Sequence, residues 1–255
     1  MQADEVRTVT DAEARPRPKP IASWGWLAGF LLIGAGVVAF GFHIQQAPAG
    51  GGGAPAGQIA SHSQAIPIYL GAILMDWALL YYCWAGVHRR GGTLGTLSGG
   101  RWSSWKDVGV DLAIALPFWA LWEGAAYGVR WLLAGTVAMG SAKGVASLLP
   151  QSMLEIAIWI GTSITAGVCE EMAFRGFLQR QLHALSGNVV AAVLGQGLVF
   201  GLFHAYQGWT NVIVISVLGV LYGVLAAWRK NLRANMIAHA WSDIWGGWLQ
   251  MLVWK

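Results

Sequence analysis

The sequence has little charge for its length. Only 11% of its 255 residues are Asp, Glu, Lys or Arg, whereas 56% are hydrophobic and the mean hydropathy is +0.51. A soluble globular domain carries about 25% charged residues. The composition therefore excludes an ordinary soluble protein and indicates an integral membrane protein. The net charge of +4 requires no nucleic-acid partner, because basic residues beside membrane spans explain it.

Cysteine is also scarce. Cys83 and Cys169 both lie in apolar stretches, so we interpret them as small core residues and not as a disulfide. The chain shows no internal repeat and no second, soluble domain. Tryptophan, in contrast, is abundant: there are 16, and indole rings favour the membrane interface.

Long apolar runs predict the membrane spans. The first, Ile21–Phe42, has no charged residue and is long enough, at ~1.5 Å per residue, to cross a hydrocarbon core of about 30 Å. A cleavable signal peptide is the alternative because Ala47-Pro48-Ala49 follows, but the long leading tail and the long apolar run argue against it. Further spans are predicted at Pro67–Val87, Val108–Leu133, Gln151–Leu182, Asn188–Tyr206, Asn211–Trp228 and Leu232–Val253.

The predicted fold class is therefore all-α, a polytopic transmembrane helix bundle of about seven spans. Six or eight spans stay open, because Ala134–Pro150 could contain an interfacial or re-entrant piece. Residues 1–20 are interpreted as a cytoplasmic tail. Residues 21–149 form the N-terminal transmembrane helices, and residues 150–255 form the part that carries the chemistry.

The basic residues predict the orientation. With the N-terminus inside, 13 of the 16 Lys and Arg residues fall in inner segments, and only Arg130, Lys143 and Lys255 fall outside. Cytoplasmic segments are enriched in Lys and Arg. We therefore expect a multi-pass protein of the cell membrane with a cytoplasmic N-terminus.

Three short spacings place ionisable side chains inside apolar sequence. They are Glu170-Glu171-x-x-x-Arg175, Phe200-x-x-x-His204 and His239-x-x-x-Asp243. Ionisable groups are costly in lipid, so an intramembrane set of this kind predicts a functional site. Glu171 and Arg175 are four residues apart and share a helix face, whereas Glu170 points about 100° away. The pattern predicts one structural acid and one reactive acid.

Each spacing also has an ordinary explanation. The acidic pair could be a charged helix end, and His204 could be a core histidine with a satisfied hydrogen bond. His239 and Asp243 share a helix face, where the carboxylate could fix the tautomer of the histidine. The three signals lie on separate predicted spans, and together they favour a single site.

These residues resemble the CPBP family of intramembrane proteases, which includes the CAAX proteases and bacteriocin-processing proteins. Residues 170–175 match the family's EExxxR motif, residues 200–204 its FxxxH motif and residues 239–243 its third motif, HxxxN or HxxxD, in family order. The resemblance covers roughly residues 150–250, the four-helix catalytic core. At the last position this chain has Asp243, where some members have Asn.

The resemblance implies an intramembrane endopeptidase that attacks a peptide bond with activated water. Glu170 would be the general base and His204 would hold the water, while His239 and Asp243 would stabilise the oxyanion or position the substrate. Glu171, Arg175 and Phe200 would support the site. The substrate would be a peptide or protein in the lipid bilayer: a prenylated C-terminal peptide, a leader-bearing precursor or a regulatory membrane protein.

The resemblance leaves the cofactor open. Zn²⁺ could bind to Glu170, His204, His239 and Asp243, because carboxylate and imidazole groups are its usual ligands. The family is described both as metalloproteases and as metal-free glutamate proteases. The absence of the HExxH spacing favours the metal-free form.

Two other function classes stay open: a catalytically inactive scaffold or immunity-type binding protein, and, less favoured, a small transporter. The remaining intramembrane acids, Asp76, Glu123 and Glu155, are left outside the predicted site. Asp107 and Asp111 lie near a helix start, where the helix dipole favours carboxylates. His239 lies only about 10 Å along its helix from Arg233, so this helix must tilt or start deep.

Overall fold

The computed structural model describes residues 18–46, 65–134 and 149–253. Residues 1–17 of the predicted tail, the glycine-rich segment Gly50–Gly53 and most of Ala134–Pro150 lie outside the described residues. No strand occurs in the described ranges, so the predicted all-α class is confirmed.

The chain forms a succession of helices separated by short connections. The α-helices are α1 (Trp24–Gln46), α2 (Ala65–His88), α3 (Leu94–Ser98), α4 (Trp105–Leu133), α5 (Met153–Glu171), α6 (Gln179–Ser186), α7 (Val189–Phe203), α8 (Trp209–Arg229) and α9 (Arg233–Val253). A π-helical segment, Met172–Leu178, joins α5 to α6, and a 3₁₀ turn, Ala205–Gln207, follows α7.

Each of the seven predicted spans is helical, and five are long and apolar enough to cross a membrane. These five are α1, α2, α4, the continuous helix Met153–Ser186 and α8. Helix α7 is apolar but has only 15 residues, about 22 Å, which is less than the hydrocarbon thickness. Helix α9 has the length of a span, but its polar side chains lower its hydropathy. Several of these side chains belong to the site described below.

The motif-bearing helices pack together. Helix α5 contacts α2 and α9, α7 lies along α8, and α4 contacts both α8 and α9. Small residues bring α7 and α8 close: a Cβ added at Gly219 would lie 2.7 Å from the Cα of Gly197. Small residues at helix contacts are typical of membrane bundles, which lack a hydrophobic driving force between helices.

Two capping boxes start the helices on either side of the undescribed segment 135–148. Asp107 caps α4 together with Ser104, as expected for an acid at a helix start. Glu155 caps α5: its Oε2 accepts hydrogen bonds from the backbone N–H groups of Gln151 (2.7 Å) and Ser152 (3.2 Å). Glu155 therefore stabilises the start of its helix.

Asp111 does more than complement a helix dipole. It is fully buried, and its oxygens lie 2.9 Å from Arg229 Nη2 and 2.8 Å from Arg233 Nε. The indole N–H of Trp102 donates to it at 2.9 Å. Asp111 thus joins α4 to the end of α8 and the start of α9. Sequence spacing could not show this, because both arginines lie more than 100 residues away from Asp111.

Candidate active site

The acidic pair lies where the helix geometry changes. Glu170 and Glu171 occupy the last turn of α5, directly before the π-helical segment Met172–Leu178, all of whose residues are buried. π turns are rare and frequently occur at functional sites. Glycine at position 176 allows the segment to pack closely, because a Cβ there would lie 2.6 Å from the carbonyl oxygen of Leu97.

Glu171 is the centre of a buried polar cluster. Its Oε1 accepts a hydrogen bond from Arg175 Nη1 at 2.8 Å, and both side chains are fully buried. Its Oε2 accepts one from Asn235 Nδ2 at 3.1 Å. The predicted pairing of Glu171 with Arg175 is therefore present. Asn235 is an additional partner that none of the motifs contains.

The same carboxylate orients His239. Nδ1 of His239 lies 2.9 Å from Glu171 Oε1, so the protonated Nδ1 donates to the carboxylate. A carboxylate bound to one ring nitrogen fixes the tautomer and the ring orientation of a histidine. The other nitrogen, Nε2, is thereby directed away from Glu171. Glu171 has a role in the predicted site that the sequence assigned to Asp243.

Two other carboxylates flank His239 Nε2. Glu170 Oε2 lies 3.7 Å from it and Asp243 Oδ2 lies 3.8 Å from it. Both distances exceed the length of a direct hydrogen bond. The side chains of Glu170 and Asp243 are 18% and 39% exposed, whereas that of Glu171 is 0% exposed. The accessible acids therefore lie on the Nε2 side of the imidazole.

His204 joins this group through Phe200. It follows the last residue of α7, and its protonated Nδ1 donates to the carbonyl oxygen of Phe200 at 2.8 Å. Its Nε2 is consequently the ring nitrogen able to accept a proton. The Phe200 ring lies 5.0 Å from the His204 ring and 6.1 Å from the His239 ring. A water shared between His204 and Glu170 stays a prediction.

The contacts of Phe200 explain why the FxxxH motif begins with an aromatic residue. Its ring is 1% exposed and lies 4.4 Å below the guanidinium carbon of Arg175. A cation over an aromatic face is stabilised electrostatically, most strongly when it is desolvated. Phe200 therefore packs against the Glu171–Arg175 pair and both histidines.

Bonds from α4 and α5 hold the middle of α9 next to the site. Trp159 Nε1 on α5 donates to the backbone carbonyl of Asp243 at 3.0 Å. On α4, Trp122 Nε1 donates to Ser242 Oγ at 2.6 Å, and Ser242 Oγ lies 3.4 Å from Glu123 Oε1. These contacts fix the backbone that carries Asp243.

Asp76 is the acid that the sequence reasoning missed. It lies on α2 seven residues after the buried Tyr69 and seven before the buried Cys83, hence on the helix face that packs against α5. It interacts electrostatically with Glu170, with Asp243 and with the imidazole between them. It is the only acid in α2. An isolated intramembrane acid was the available signal, but nothing in the sequence indicated which helix α2 would face.

The predicted zinc ligands do not form a metal site in this arrangement. Within the described ranges, no three His, Cys, Asp or Glu side chains are placed so that they could hold a metal ion. The nearest approach to such a group is His239 Nε2 with its two flanking carboxylates, whose oxygens lie 3.7 and 3.8 Å from that nitrogen. We therefore derive no catalytic step through a metal.

Comparison with known proteins covers the motif-bearing region. Residues 151–245 match the family model described as type II CAAX prenyl endopeptidase Rce1-like. No curated protein and no solved structure is significantly similar to the chain. The matched residues contain all three motifs and every residue of the Glu171 cluster, and they support a membrane endopeptidase in general. This match over residues 151–245 confirms the predicted resemblance to the CPBP intramembrane proteases.

Proposed function

We propose that this protein is an intramembrane endopeptidase that hydrolyses a peptide bond with water activated by Glu170. The observation that carries the proposal is the environment of His239. Its Nδ1 is held by the buried Glu171, and its Nε2 faces the more accessible Glu170 and Asp243. The site thus combines a fixed imidazole with a separate, accessible carboxylate.

In the proposed mechanism Glu170 removes a proton from water, and the hydroxyl oxygen adds to the substrate carbonyl carbon. The tetrahedral intermediate carries an oxyanion. Collapse of the intermediate breaks the C–N bond, and the protonated Glu170 returns its proton to the leaving amine. His204 would hold the water through Nε2, since its Nδ1 is bound to the Phe200 carbonyl.

His239 is suited to stabilise the oxyanion. When both ring nitrogens are protonated, Nδ1 donates to Glu171 and Nε2 can donate to the substrate oxygen. A donor of this kind contributes roughly 3–4 kcal/mol in soluble proteases. An ionised Asp243 would repel an oxyanion, so Asp243 acts through His239 or in its protonated form. The buried Glu171 stabilises the imidazolium.

The family description favours a prenylated C-terminal peptide as the first substrate to test. Leader-bearing precursors are the second class. In either case the substrate reaches the site from the bilayer, because Glu170 lies in the continuous apolar helix Met153–Ser186. The boundary at residue 150 between N-terminal helices and catalytic core is part of this proposal.

Purified full-length protein in detergent should cleave members of a library of prenylated and unprenylated peptides. Glu170→Gln should lower the rate at least about 100-fold, because it removes the general base. Glu155→Gln is the matched control, since it makes the same change in an acid that caps the start of α5, a position where Gln also fits. Product formation is followed by mass spectrometry. A folded protein that cleaves no peptide would favour the scaffold or immunity-type function.

A chelator in the same assay distinguishes the metal-free glutamate mechanism from the metalloprotease mechanism. We expect cleavage to persist after dialysis against the chelator, because the described side chains do not form a metal site. Loss of activity that added Zn²⁺ restores would establish the metalloprotease mechanism and would assign Glu170 to metal binding.

Orientation in the membrane gives an independent prediction. In intact cells, an impermeant thiol reagent should label a cysteine introduced at Ala56 but not one introduced at Ser98, because the charge distribution places the N-terminus inside. Cys83 and Cys169 are both buried and give little background. Labelling at Ser98 alone would reverse the topology.

A further inference from the structure

Arg175 also lines a cavity that neither His204 nor His239 reaches. It has a volume of about 230 Å³. It is bounded by the π-helical segment and α6 on one side and by the end of α8 and the next residues on the other. The lining residues are Arg175, Gln179, Arg180, His183, Val189, Ala226, Ala227, Lys230, Asn231 and Leu232.

The lining carries basic groups and no acid. Arg175 is neutralised by Glu171, but Arg180 and Lys230 are paired with no carboxylate in the part of the chain that the structure describes. Arg180 instead donates to the backbone carbonyl of Thr96. Arg180 and Lys230 therefore give the cavity two uncompensated positive charges. Such a wall attracts an anion.

Two buried polar atoms on the wall lack partners. Arg175 is 2% exposed and Gln179 is 7% exposed, yet Arg175 Nε and Gln179 Oε1 have no hydrogen-bond partner. Buried polar groups are normally satisfied, and each exception requires an explanation. Arg175 Nε is a donor, as an anionic ligand requires.

Lys230 is held in this wall at a conformational cost. It follows α8 with φ of 57° and is the only non-glycine residue with positive φ in the described ranges. Glycine, or less often asparagine, usually occupies this position after a helix, because a Cβ is disfavoured there. A lysine at this position adds a cation to the cavity, but it does not stabilise the left-handed backbone conformation as glycine would.

We propose that this cavity binds a phosphate group, carried by a lipid headgroup or free in solution. Arg and Lys are the usual phosphate-binding side chains. The cavity lies between the first turns of α6 and the end of α8, beside Arg229 and Arg233, as expected for the boundary between membrane and water. Its apolar wall residues would accommodate the rest of a lipid. Basic pockets between membrane helices bind anionic headgroups.

The test measures thermal unfolding of the full-length protein in neutral detergent. Phosphatidylglycerol should raise the melting temperature, whereas zwitterionic phosphatidylcholine should not. Lys230→Gly should weaken phosphatidylglycerol binding about fivefold, because one charge contributes about 1 kcal/mol near a membrane surface. Without lipid, its melting temperature should equal or exceed that of the wild type, since glycine relieves the positive φ.

Lys106→Gln is the matched control, because it removes an exposed charge that does not line the cavity. It should leave phosphatidylglycerol binding unchanged. His183→Gln provides a second cavity variant with reduced binding. If inorganic phosphate raises the melting temperature as much as phosphatidylglycerol does, the ligand is a free phosphate group. The proposal is wrong if neither probe shifts melting, if phosphatidylcholine acts equally well, or if Lys230→Gly and Lys106→Gln respond alike.

Discussion

Glu171→Gln should destabilise the protein by about 3–5 kcal/mol, because it leaves Arg175 buried without a compensating charge. Arg175 is 2% exposed, so water compensates little of its charge once Glu171 is neutral. The variant also weakens the bonds of Glu171 to Asn235 and His239. Chemical unfolding in detergent, followed by tryptophan fluorescence, measures the change.

Glu170→Gln is the matched control for this experiment, since it makes the same substitution one residue earlier. Its side chain is 18% exposed and lies 3.7 Å from His239 Nε2, beyond hydrogen-bond length, so its free energy of unfolding should stay close to the wild-type value. Equal destabilisation by the two substitutions would refute the division into a structural and a reactive acid.

Helical spacing was sufficient to predict contacts within one helix. The pairing of Glu171 with Arg175 follows from their separation of four residues, and the structure contains it. The bond between Glu171 and His239 spans 68 residues. No local pattern specifies such a contact. The sequence therefore identified His239. It proposed Asp243 as the carboxylate that fixes the tautomer of this histidine, whereas Glu171 is the carboxylate bound to Nδ1.

The depth of His239 was the least certain part of the predicted site, and Asp111 explains it. Asp111 lies about 9 Å along α4 from its first residue, Trp105. Its ion pair with Arg233 holds the start of α9 at this depth. Helix α9 therefore begins about 9 Å further along the bundle than α4, and His239 reaches Glu171 from there. A helix-dipole interpretation of Asp111 could not reveal this.

The remaining differences arise from helix packing. Periodicity predicted the spans but did not show that the face of α2 with Asp76 would pack against α5, the helix that carries Glu170. It also did not predict the π-helical turns, which depend on close packing at Gly176. A family resemblance confined to the region near residues 150–250 could not supply a residue from α2.

Glu170 and His204 should behave as one catalytic unit. Each single substitution, Glu170→Ala or His204→Ala, should lower kcat/KM by roughly 10²–10⁴-fold, because each removes a group that handles the attacking water. The double variant should lose little more than the worse single variant, since residues that act as a unit are strongly non-additive. His88→Ala is the matched control for the histidine: this exposed residue stacks on Trp84 and should leave activity unchanged. If the losses of kcat/KM multiply in the double variant, the two residues act independently. The proposal that they share one water would then be wrong.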